Sequence, residues 1–73
     1  MIQKYNVGEW DISGYKYTIL LVSAGRDNWF EAQPLTPGVI TRTAETKTVL
    51  RILLENDVIN ALKRKQIDKQ RVG

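Results

Sequence analysis

Histidine and cysteine do not occur among the 73 residues, so the commonest general base and the best nucleophile at neutral pH are both lacking. Serine stands only at positions 13 and 23; Ser13 belongs to a turn sequence, and no Gly-x-Ser-x-Gly elbow surrounds either one. Glu9 and Asp11, two apart on an expected strand, point the same way and have the spacing of an acid/base pair or of ligands to a hard cation. The commoner role for such carboxylates is the solvated edge of a small sheet. Glycines 8, 14, 25 and 38 never approach phosphate-loop spacing. We therefore assign no catalytic residue, no cofactor-binding residue and no metal ligand, and expect a protein that is not an enzyme and needs no cofactor.

Two other patterns point to binding. All six aromatics (Tyr5, Trp10, Tyr15, Tyr17, Trp29 and Phe30) fall in the first thirty residues, interleaved with Lys4, Lys16 and Arg26. Rings on a sheet beside cations can form a stacking platform for single-stranded nucleic acid. They are also how a short sheet makes a core, since cross-strand aromatic pairs stabilise antiparallel ribbons by about 0.2–1 kcal/mol each. The second pattern is the basic run Lys63, Arg64, Lys65, Lys69 and Arg71, faced only by Asp68. It suits phosphate contacts, and equally suits stabilising a helix dipole and keeping a tail soluble. A nucleic-acid interface would use Lys4, Lys16, Trp10, Trp29, Lys63, Arg64, Lys65 and Arg71. The charge is uneven along the chain, −1 over residues 1–40 and +4 over 41–73.

A chain of this length makes one domain, 1–73, and buries only about 60% of the surface its unfolded form exposes. Small scaffolds usually add a disulfide, a structural metal or an identical partner. Without cysteine or histidine, the partner is the staple left. An apolar fraction of 42% with 26% charged residues belongs to a folded globular chain. The longest aliphatic run, Ile19 to Val22, is far short of the roughly 20 residues that cross a bilayer. Nor does the N-terminus have the order of a signal peptide, so the cytoplasm is the expected compartment.

The elements that position these residues can be read from periodicity. Residues 3–33 carry the period-two pattern of an antiparallel meander of three or four strands. Gly8 interrupts the first strand and separates Tyr5 and Val7 from Trp10 and Ile12, which lie on the opposite parity; a bulge there returns both pairs to one core face. Ser13-Gly14 has hairpin spacing. The second strand, from Tyr15 to about Ser23, becomes apolar on both faces, the mark of a central strand. Gly25 to Asn28 turns the chain into a third strand, 28–33, which Pro34 ends. Val39 and Ile40 form a short fourth strand or anchor a loop spanning 34–42.

From Thr41 or Thr43, either of which can serve as N-cap with Glu45 in the first turn, the pattern is helical to about residue 69. At about 100° per residue, Leu50, Leu53, Leu54 and Ala61 cluster, Val49 and Val58 flank them, and Ile52 and Ile59 form a separate stripe. That is more apolar circumference than one sheet can cover. Either one long helix buries its second face against another chain, or the helix breaks at Asn56-Asp57 with Asp57 capping a new one; the unbroken helix is preferred. Alternatively, the loop from Gln33 to Thr41 covers the second stripe.

The expected fold is thus α+β, a small antiparallel meander followed by a C-terminal helix packed on one face. The function expected of it is that of a non-catalytic binding protein, an inhibitor, adaptor or ligand sponge of the kind phages and mobile elements encode. It acts as a homodimer or higher homo-oligomer through Val49, Ile52, Leu53 and Ile59. Single-stranded nucleic-acid binding is the alternative.

Overall fold

Five elements follow one another along the chain: β1 Ile2–Ile12, β2 Tyr15–Ala24, β3 Asp27–Pro34, β4 Arg42–Ala44 and α1 Lys47–Val72. The computed structural model describes residues 1–72, with side chains through Lys65. Each strand pairs antiparallel with its sequence neighbour, giving a meander in the order β1-β2-β3-β4 with α1 packed on one face. This is the expected α+β class, with β2 in the interior of the sheet as its two-sided apolar pattern required.

Two devices set the register of β1. Ser13 and Gly14 take φ of 53° and 90°, both left-handed, so the turn between Ile12 and Tyr15 twists with its strands; Asp11 Oδ1 accepts from the Gly14 amide at 2.9 Å. At Gly8, φ is 146° and the pairing steps from Asn6 opposite Leu20 to Gly8 opposite Ile19, leaving Val7 as the extra residue of a bulge. Tyr5 thereby returns to the face that carries Trp10 and Ile12. Neither residue of the first apolar pair joins the core, however: Tyr5 is half-exposed on the edge strand and the bulged Val7 faces solvent.

The fourth strand lies at Arg42–Ala44, not at Val39–Ile40. After Pro34 the chain keeps following β2, with the Leu35 amide donating to Lys16 O at 2.8 Å and Thr36 Oγ1 accepting from the Lys16 amide at 3.1 Å. Only beyond that excursion can it return to pair with β3, which puts Arg42 opposite Ala32 and Ala44 opposite Phe30.

The helix is continuous through Asn56 and Asp57 and starts at Lys47, later than the expected 43. Its N-cap is Thr46, not Thr41 or Thr43: Thr46 Oγ1 accepts from the Val49 amide at 3.2 Å and its carbonyl from the Leu50 amide at 3.0 Å. Thr43 is spent in β4, and Glu45 precedes the cap, so no acid occupies the first turn. Leu50, Leu54, Val58 and Ala61 then pack on Ile12, Tyr15, Tyr17, Ile19 and Ala32. Val58 lies inside this seam at 1% exposure, and Leu53 is half-buried at its margin.

The cap gives a direct check on the helix start. Thr46→Ala should lower stability by about 0.5–2 kcal/mol in urea denaturation, whereas Thr41→Ala should change it by no more than about 0.5 kcal/mol.

Candidate functional site

Cross-strand register decides where the aromatic side chains go, because residues directly opposite each other share a face. Trp10 opposite Tyr17, Ile12 opposite Tyr15, and Tyr5 and Phe30 opposite Leu21 all lie on the face that α1 covers; Trp29, opposite Val22, is on the other. Three helix cations close over the inner rings, Lys47 at 5.6 Å from the Phe30 centroid, Arg51 at 5.4 Å from Trp10 and Lys65 at 5.3 Å from Tyr15. On the far face Lys4, Val22 and Trp29 stand in one row, and Lys4 Nζ bridges to Glu31 at 3.3 Å. Lys16 is exposed on the same face, in a row with Asp11.

The residues proposed for a nucleic-acid interface are therefore not brought together. Trp10 and Trp29 lie on opposite faces, Lys4 and Lys16 share only Trp29's face, and Lys63, Arg64 and Lys65 belong to the helix side; the Arg71 side chain lies outside the described residues. Glu9 and Asp11 do share the outer face, but Asp11 is occupied by its hairpin bond. Among the described residues no three acidic side chains gather as a metal site, and no helix is long and apolar enough to cross a membrane.

What the fold does assemble is a cleft of about 500 Å³ between the loop at Gly38–Ile40 and one flank of α1. Asp57, Asn60 and Arg64 recur at three- and four-residue spacing, which aligns them on that flank, with Lys63 beside them at the mouth. Register places Arg42 opposite the fully buried Ala32, so its side chain comes off the helix-covered face. There its Nε donates to Asp57 Oδ2 at 2.7 Å and its Nη2 to Oδ1 at 2.9 Å, a bidentate pair at the edge of the core. That bond holds the Arg42 guanidinium protonated even more firmly than usual. Arg64 Nη2 donates to Gly38 O at 3.3 Å, tying the helix to the loop. A smaller recess of about 280 Å³, lined by Tyr15, Ala61 and Lys65, shares Gly38 and Arg64 with the larger one.

Arg42 and Asp57 were not recognised as partners from the sequence. The available signal was Asp57 itself: it falls seven residues after Leu50 and four before Ala61, on the buried arc, where a carboxylate requires a cation. Nothing in the sequence said which cation, because the partner lies 15 residues away.

Of the four residues proposed for self-association, Val49, Ile52 and Ile59 are 48%, 54% and 48% exposed on the helix side away from the seam, and Leu53 is half-buried. The loop does not cover them; Val39 packs on the core instead.

No protein-family model matches the chain, and neither a curated protein nor a solved structure shows significant similarity to it.

Two hydroxyls at the base of this region, those of Tyr15 and Tyr17, are buried without a hydrogen-bond partner. Burial raises the Tyr17 pKa, and the negative charge of Asp57 adds to the rise, with Arg42 opposing it. Because the folded-state value lies above the ordinary 10.0, the neutral phenol's contribution is present below pH 10 and is lost as pH rises, when the unfolded chain ionises first. Tyr17→Phe should remove that part of the alkaline loss, read by urea denaturation at several pH values. At neutral pH it should be neutral or stabilising by about 1 kcal/mol, since it deletes an unpaired buried hydroxyl.

Proposed function

We propose that the chain is a small non-catalytic binding protein of the cytoplasm that acts as a homodimer, in the manner of an inhibitor, adaptor or ligand sponge. The observation that carries the reading is the outward stripe of α1. Val49, Ile52, Asn56 and Ile59 follow one another at spacings of three, four and three, the seam of a coiled-coil-like contact, and the three aliphatics are about half-exposed.

Such a stripe is suited to a second copy. In an antiparallel pair with its two-fold near residues 55 and 56, each Ile52 meets its partner's Ile59, so one patch is complementary to itself, as a closed dimer requires. Asn56 sits where a polar residue in the seam favours one register over its neighbours. A 73-residue chain without disulfides has the most to gain from burying this surface.

Light scattering on the purified chain at micromolar concentration should give the mass of a dimer. Ile52→Glu and Ile59→Glu, at exposed positions away from the core, should each give a monomer with unchanged helical circular dichroism. A wild-type chain that runs as a strict monomer would remove self-association from the reading.

A further inference from the structure

The basic cleft beside the helix gives the binding reading a ligand class. We propose that it holds the phosphate groups of a small phosphorylated molecule of about nucleotide size. The proposal rests on the chain being a binding protein but not on its self-association.

Size comes first. The cleft, about 500 Å³, falls in the range of about 300–1,000 Å³ typical of small-ligand sites, and the recess of about 280 Å³ that shares Gly38 and Arg64 with it lies just below that range. Charge selects among ligands. The two are lined by Arg42, Lys63, Arg64 and Lys65 against the single acid Asp57, both of whose oxygens already accept from Arg42. Among the described residues no other acid lines either one. Lys63 and Arg64 face the larger cleft beside the already paired Arg42, and a multivalent anion relieves the repulsion between them.

The two ordinary explanations for such a cluster do not reach it. The favourable interaction of bases with a helix dipole is confined to about the last turn, and Lys65 lies seven residues before the helix end at Val72. Simple solubility does not require Lys63 and Arg64 to line a concave surface.

The donors also suit phosphate. Arg64 spends one N–H on Gly38 O, at a long 3.3 Å, leaving most of its planar fork to grip two oxygens. Lys63 adds a point charge from the rim. Opposite them Val39 and Ile40 present an apolar wall, with Asn60 able to donate and accept beside it, so the non-phosphate part of the ligand has a surface to rest on. A long single strand is the poorer fit, because Lys4 and Lys16 lie on the far face of the sheet and five of the six rings lie on the face under the helix.

Isothermal titration of the full chain at low salt with ATP and with inorganic pyrophosphate tests the assignment. Both should bind saturably, ATP more tightly, and Arg64→Gln should weaken each by about tenfold or more, as loss of a charge-assisted contact does. Arg64→Lys should retain part of the affinity. No saturable binding of either probe, or equal affinity in Arg64→Gln, would overturn the proposal. So would a single-stranded oligonucleotide that binds more tightly than ATP with a steep salt dependence, which would assign the cations to a nucleic-acid backbone. Light scattering on the same samples keeps the two ideas apart, since a dimer that ignores both probes removes the ligand and leaves self-association standing.

Discussion

The seam between α1 and the inner face of the sheet has no disulfide to support it, because the chain contains no cysteine. Leu50, Leu54 and Val58 stacked on Tyr17, Ile19 and Ala32 hold it chiefly by burial, all at or near zero exposure, with the Arg42–Asp57 pair and three cation–ring contacts at its margin. Burying a large aliphatic side chain contributes about 1.5–3 kcal/mol, and a domain this small makes few such contacts. The positions of the other groups follow from which arc of the helix and which face of the sheet that seam consumes.

Its polar margin is one consequence. Tyr15 and Tyr17 lend their rings to the core and leave two hydroxyls unpartnered, while Arg42 and Asp57 meet where the seam opens toward the loop. A desolvated phenol beside a carboxylate resists ionisation, so the core carries a pH sensitivity although its apolar contacts do not titrate. The cleft has a related origin. Because Leu35 and Thr36 run on along β2 before the chain doubles back, the loop reaches the helix flank late and leaves a concave gap there.

The same seam redirects the aromatic and cationic side chains. In sequence the rings interleave with Lys4, Lys16 and Arg26 as a stacking platform would; in the fold it is the helix cations Lys47, Arg51 and Lys65 that lie over Phe30, Trp10 and Tyr15. Among the described residues the outward stripe at Val49, Ile52 and Ile59 stays exposed, and the basic cleft opens beside it. Lys63, four residues after Ile59, continues the stripe and also lines the cleft, so the two surfaces meet along one edge of the helix.

Local grammar carried much of the fold. Period-two patterning, Ser13-Gly14, the interrupting Gly8 and Pro34 marked the strands and turns, because each rests on backbone preferences of one or two residues. The helical period likewise put Leu50, Leu54 and Ala61 on one arc and Ile52 and Ile59 on another, but it paired Val49, which the structure exposes, with the buried Val58 as flanks. Among several threonines it could not choose the cap, since Thr41, Thr43 and Thr46 have the same chemistry and only β4 pairing removes Thr43 from the choice. The cleft was beyond its reach for a stronger reason: Arg42 and Asp57, and Arg64 and Gly38, lie 15 and 26 residues apart. Residue types and periodicity by themselves determined an antiparallel meander followed by an over-apolar helix. Which cations converge, and which rings are spent inside, only the tertiary structure decided, because those depend on register and on the path of a loop with no period of its own.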